Sequence, residues 1–495
     1  MNILNLRKER KLNQYRRLLR RTPELLEVSE RAYAQALAEE TGERRDGFPA
    51  QDSFPAQDGF PTQDGLSAQD CLSAQAAASM FVLGPALLSF LLWIFEEAKK
   101  AGRYRLYFLA RDGYPMYRLA EKLCRTHGLP FDCRYLYASR LAFRLPEQHL
   151  IGDAFLERVC RGGMDVTFAA MMRRAGLTPR EAERIAAQVC PQHKPEDVLS
   201  WKEIQKLRGP LARCRDFREL AAQRSKECLS SAVAYLRQEG LLDEVPYALV
   251  DSGWIGTMQE SLCHLLESAG YRGRAEGYYF GLYSLPASAD RTGFHGFYFE
   301  PERGIRRKAH FSNCLFECVF TAPHGMTLGY ENRDGRWKPR LAPVSSDQEK
   351  RVRRQLLFLE LYAEAAAGAY GDSLRREAGR LRLESLLTAF MSKPSLEESA
   401  CYGSFSFSDD VTEDRMQPLA ARLTGRQLMD HHLLFRLRLT LLPGKRRLKD
   451  SGWIEGSIRL YGGKLYAWHR AGALLYKYAS GIRMQNGFRK GRKAA

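Results

Sequence analysis

Acids, arginines and glycines recur at two places where the sequence passes from an apolar run into a helical pattern, and these residue types handle phosphorylated sugars. The first is Arg111-Asp112-Gly113, after the apolar residues 104–110. The second is Asp251-Ser252-Gly253 with Gly256-Thr257, after residues 247–250. A carboxylate at a strand end can hold Mg²⁺, face a sugar hydroxyl or take a proton, and a neighbouring arginine can pair with phosphate through two parallel hydrogen bonds. Glu317 is an acid inside an apolar helical stretch, so it either faces a crevice as an acid/base group or pairs with an arginine. The candidate acid/base groups are therefore Asp251, Asp112 and Glu317. The candidate substrate contacts are Arg111, Gly113, Arg140, Gly253, Gly256 and Thr257, and Asp251 is the candidate ligand for Mg²⁺. Asp-Gly is also an everyday turn dipeptide, and glycines can serve only to permit a bend.

The elements that must position these groups read as strand-turn-helix units. Residues 104–110 form a strand, Met116, Leu119, Ala120 and Leu123 recur at helical spacing, and residues 134–138 form the next strand, which makes a right-handed parallel crossover. After residues 247–250, Met258, Leu262, Leu265, Leu266 and Ala269 again keep helical spacing, and strands follow at 275–283 and 296–299. The expectation is an α/β protein: a Rossmann-like, mostly parallel sheet over 77–330, with a helical insertion at about 148–242. Free N–H groups at a helix start favour a phosphate, and the carboxyl ends of such strands are where ligands bind. After Tyr330 the pattern is helical through Met391, and 331–495 reads as a helix-rich region with a basic tail.

Residues 1–45 read as a basic helical arm. From residue 47 to 75 a six-residue unit repeats (GFPAQD, SFPAQD, GFPTQD, GLSAQD, CLSAQA), and the stretch 46–76 reads as a disordered linker, with the folded part beginning near Ala76. The formal charge of +18 is concentrated at the ends. Residues 444–495 hold 13 Lys and Arg against 2 acids, and residues 1–21 hold 8 against 1. Such ends can touch nucleic acid or an anionic membrane, although solvated tails are the commoner reading. The 11 cysteines show no regular framework, which points to reduced thiols and a cytoplasmic setting. The apolar residues 80–95 are interrupted by Gly84-Pro85 and read as a buried core helix, since a membrane span wants about 20 apolar residues.

The stretches YFLARDGYPMYRLAEKL, YLYASR and VDSGWIGTMQ, with LGPALLSFLLWI before them and LFECVFTAPHGMTLGY after, together resemble the carboxyl-terminal region of predicted hydrolases of the haloacid dehalogenase superfamily. The resemblance runs from about Leu83 to Tyr330. It implies a role in cell-surface polysaccharide synthesis, on a phosphorylated sugar or nucleotide sugar, beside glycosyltransferase partners. A phosphatase of that superfamily needs an Asp nucleophile and a second Asp two positions on, with Mg²⁺ between them. The chain contains no Asp-x-Asp, so activity of that type is not expected. LVDSGWIGTMQESLCHLLESAG is also similar to the strand, acid, glycine loop and helix of type I phosphoribosyltransferases. That resemblance implies Asp251 facing ribose hydroxyls, with Gly253, Ile255, Gly256 and Thr257 around the 5-phosphate. It departs from the family pattern at Ser252, where a second acid is usual, and at bulky Trp254. The alternative from another class is a non-catalytic scaffold whose glycine turns are only structural.

Overall fold

Five strands form one parallel sheet. β1 (Arg105–Leu109), β2 (Asp132–Leu136), β3 (Tyr247–Trp254), β4 (Glu276–Leu282) and β5 (Phe294–Phe299) lie in the order β2-β1-β3-β4-β5, every neighbouring pair parallel. The computed structural model describes residues 3–40, 66–163, 165–287, 289–408, 410–413, 416–441 and 448–494. Side chains alternate across each strand, and in the central strands β1, β3 and β4 both faces are largely buried. Leu106, Phe108, Ala248, Val250, Tyr278 and Phe280 face one core, which they share with the helical run from Ala68 to Lys100. Tyr107, Leu109, Tyr247 and Leu249 face a second core with Leu236, Leu262, Leu265 and Leu266. Two covered faces are why these strands read as unbroken apolar runs rather than alternating ones.

The helical run under the sheet consists of Ala68–Ala78, a π turn at Ser79–Leu83 and Gly84–Lys100. Among the described residues it is the one helix long and apolar enough to cross a membrane, and it lies almost wholly inside the core. Between β2 and β3 run helices from Arg140–Glu147 to Arg215–Gln238, several of them packed around a separate apolar cluster that includes Phe168, Ile185 and Phe217.

Three expectations change. The last repeat units are not linker, because Ser67 caps the helix Ala68–Ala78 through a reciprocal bond with Asp70, while residues 46–65 lie outside the described residues. Nor does the folded part begin near Ala76. The helices Ile3–Leu19 and Pro23–Glu40 bury Tyr15, Leu19, Leu25, Val28 and Ala32 in the main core, and the basic arm uses its charges there. Lys11 donates to the carbonyls of Ala389 and Lys393, and Arg16 pairs with Glu30. Third, the helical pattern does not resume at Tyr330. β6 (Thr327–Arg333) and β7 (Arg336–Leu341) form a hairpin instead, turning at Asp334 and Gly335, both with positive φ. That is the chemistry of a two-residue Asp-Gly turn. Tyr330 stacks on Tyr235, which anchors the hairpin to the long helix Arg215–Gln238.

Gly84 sets the distance between the helix under the sheet and the C-terminal helix Ser346–Gly368: a Cβ there would lie 2.3 Å from the buried ring of Tyr362. Gly84→Ala should destabilise the protein by about 1–3 kcal/mol, since a packed ring cannot move without disturbing its neighbours. Urea unfolding would show a lower midpoint with an unchanged slope, and an unchanged midpoint would refute this packing.

Candidate functional site

The strand order reverses between β1 and β3: the chain goes outward from β1 to β2, then returns past β1 to build β3, β4 and β5 on the other side. In open parallel sheets a crevice opens at the carboxyl ends of the two strands flanking such a reversal. Arg111, Asp112 and Gly113 follow β1 at that point, and Asp251, Ser252 and Gly253 lie in β3 beside them. Asp251 is not the end of its strand, because Asp251, Gly253 and Trp254 continue the pairing with Tyr279, Gly281 and Leu282 of β4. The Ala110–Arg111 peptide is cis.

Three acids share the crevice. Asp112 stands before the helix Gly113–His127 but does not cap it; its carboxylate accepts a short hydrogen bond from the Ser252 hydroxyl. Asp251 accepts from the backbone N–H groups of Ser252 and Gly253. Glu317, on the helix Asn313–Val319, accepts from Trp254 Nε1 at 2.5 Å. Burial, with Glu317 and Asp251 close by, raises the Asp112 pKa well above the usual carboxylate range. Burial likewise lifts Asp251 to about 7, with Glu317 adding to the rise while its two backbone donors and Arg140 oppose it. Closely placed carboxylates in a poorly solvated site oppose one another's ionisation, so Asp112 and Asp251 keep their protons to higher pH than free carboxyl groups do. Arg111 partly compensates. Burial works against its charge, but Glu413, Asp112 and Glu317 hold its pKa up, and its Nη2 donates to Glu413.

Beyond Asp251 the backbone makes a turn in which two positions fit only glycine. Gly253 has φ +106, and a Cβ there would meet the Gly281 carbonyl at 2.6 Å; Gly256 has φ +66 and lies against the Phe294 ring. Trp254 also has positive φ, and its ring packs near Tyr283, Phe311 and Phe316 as an apolar wall. The helix Thr257–Ser268 starts directly after Gly256 with no side-chain cap. Its first N–H groups therefore have no partner from a capping side chain, which is the usual arrangement for an anion. Thr257 Oγ1 accepts from Arg144 Nη2 at 2.7 Å.

The structure thus brings Arg111, Asp112, Asp251 and Glu317 together, with the Gly253–Thr257 turn beginning beside Asp251 and Arg140 near enough to influence it. Gly113 serves packing, since a Cβ there would lie 3.0 Å from the Phe108 backbone. Ser252 and Arg144 were not singled out by spacing, although each lies close in sequence to a residue that was. Glu413 carried no signal, because it reaches Arg111 from 302 residues away. Among the described residues no group of three or more His, Cys, Asp or Glu side chains is arranged to hold a metal ion. Comparison of the sequence with protein-family models and with curated proteins finds no match.

The raised Asp251 pKa has a consequence for stability. Between the unfolded value of 3.8 and the folded value of about 7 the native state binds more protons than the unfolded one, so stability falls as pH rises through this window. Asp251→Asn removes that loss. The variant should therefore melt higher than the wild type at pH 8, by on the order of a few kcal/mol, and differ less at pH 4. A variant that is less stable than wild type at pH 8 would show that the ionised carboxylate supports the fold.

Proposed function

We propose that the crevice between β1 and β3 binds a phosphorylated sugar, with the phosphate on the Gly253–Thr257 turn and the sugar hydroxyls toward Asp251 and Asp112. The observation that carries this is one stretch of chain, in which a buried acid, a glycine turn and an uncapped helix start succeed one another at the strand-order reversal. Mg²⁺ suits such a site when one or two carboxylates and the substrate phosphates share it, and Asp251 and Asp112 are the residues that would contribute. The metal would neutralise phosphate charge while the ligand is bound. Arg111 and Arg140 add cations on the same side of the sheet.

Of the chemistries that use a sugar phosphate, transfer of the sugar suits these residues better than phosphate hydrolysis. The chain has no Asp-x-Asp to act as nucleophile and acid/base. The sugar-transfer reading needs instead a carboxylate near the ribose hydroxyls and a group able to accept a proton from the incoming acceptor. Asp251, with a pKa of about 7, is poised for either part. On this reading the protein is a phosphoribosyltransferase-like enzyme, or an enzyme-derived binding domain, acting in cell-surface polysaccharide synthesis as its resemblance implies, with glycosyltransferases as partners. The competing reading is a scaffold that binds no small molecule.

Thermal melts of the full chain with ribose 5-phosphate, phosphoribosyl pyrophosphate and nucleotide sugars, with and without Mg²⁺, separate these readings. A ligand at 100 times its dissociation constant should add roughly 2.7 kcal/mol. Asp251→Asn should remove most of that gain. No shift with any of these ligands would favour the scaffold.

A further inference from the structure

A second cluster of cations lies beside the crevice and has no role in it so far. Leu141, Arg144, Gln148, Arg158, Arg174 and Val411 line a small pocket. Two of its arginines are matched by acids: Arg158 pairs with Glu147 and Glu260, and Arg174 pairs with Asp410 at 3.0 Å while also donating to the carbonyls of Val159 and Arg161. Arg144 is not. It is only 7% exposed, its Nη2 bonds the neutral Thr257 hydroxyl, and its Nε has no hydrogen-bond partner among the described residues. Burial, with Arg140, Arg158 and Arg161 close by, lowers its pKa to about 9. Gln148, 6% exposed, leaves Oε1 without a donor in the same pocket. Glu147 is near enough to Arg144 to offset part of its burial but bonds Arg158 and His264 instead, and a buried guanidinium with a free N–H and no directly bonded acid is costly unless an anion or polar ligand completes it.

The pocket is closed by an acidic segment of the C-terminal region. Asp410 holds Arg174, Val411 forms part of the pocket wall, and Glu413 holds Arg111 in the crevice. Two carboxylates three residues apart thus occupy two arginine positions, whose anchoring backbone points can be no more than about 10 Å from each other. As closed, the pocket has room for little more than a water molecule.

We propose that the pocket around Arg144, Arg158 and Arg174 is a second anion subsite that takes a phosphate group, and that residues 410–413 occupy it as a displaceable internal competitor. A phosphate carries more charge than a carboxylate and can take both the Arg144 Nε–H and the Arg174 fork once Asp410 and Val411 withdraw. The proposal rests on the crevice reading only for its ligand class. Because Arg144 bonds Thr257 at the start of the crevice helix, a ligand with two anionic groups can span both places.

The test is calorimetric titration of inorganic phosphate and pyrophosphate into the full chain. Asp410→Asn, which keeps the side-chain shape but removes the competing charge, should tighten anion binding by about fivefold or more, and Arg144→Gln should weaken it about tenfold. Unchanged affinity in Asp410→Asn overturns the subsite, whatever the folding of Arg144→Gln. If these anions respond as expected but sugar phosphates bind wild type and Asp251→Asn alike, the subsite stands and the crevice reading fails. If sugar phosphates depend on Asp251 but the Asp410 and Arg144 variants bind anions like wild type, the crevice reading stands and the subsite is refuted.

Discussion

Three carboxylates that share one poorly solvated crevice oppose one another's ionisation, and the structure around Asp112, Asp251 and Glu317 is arranged to manage that constraint. Each acid receives a donor from a different source: the Ser252 hydroxyl, the backbone after Asp251 and the Trp254 indole. All three donors belong to residues of β3 itself, so the strand that carries one acid also holds its neighbours. Arg111 adds a cation at the end of β1. A site of this kind keeps its protons to higher pH than free carboxyl groups do, and such perturbed groups cluster where chemistry or ligand binding takes place.

The crevice is completed by parts of the chain that the sheet alone would not supply. Glu317 comes from a short helix after β5, and Glu413 from a segment far beyond it. The hairpin of β6 and β7, the long helix Arg215–Gln238 and the helix Arg140–Glu147 pack together beside the sheet, with Ser139 donating to the Thr327 carbonyl at 2.6 Å. That packing places Arg140 and Arg144 next to the start of the Thr257–Ser268 helix. The insertion and the C-terminal region therefore do more than cover the sheet: the insertion brings Arg140 and Arg144 to its carboxyl edge, and the C-terminal region brings Glu413 to Arg111.

Beneath the opposite face, the helical run Ala68–Lys100 is held between the sheet, the N-terminal helices and the helix Ser346–Gly368. Several buried polar groups in this layer pair with one another across the helices. Gln75 bonds Gln355, Gln355 bonds Ser79, and Tyr15 donates to Glu398, which is nearly inaccessible. An unpaired buried group costs more than a paired one gains, so these bonds fix how the N-terminal and C-terminal helices sit on the core.

The sequence by itself determined the sheet strands, the two acidic turns and the need for glycine between Asp251 and Thr257, because those depend on local apolar runs, strand-to-helix changes and backbone conformations that neighbours in the chain impose. It also marked residues 80–95 as a core helix, through an apolar run interrupted at Gly84-Pro85 and shorter than a membrane span wants. It misplaced the N-terminal arm and the hairpin at Thr327–Leu341, where short-range pattern was weak and long-range packing decided. Only the tertiary structure decided that Asp112, Asp251 and Glu317 share one crevice, that Glu413 pairs with Arg111 across 302 residues, and that the buried Arg144 Nε is left without a hydrogen-bond partner. Those outcomes turn on Coulomb interactions and desolvation between groups far apart in sequence, and neither leaves a periodic trace in the order of residues.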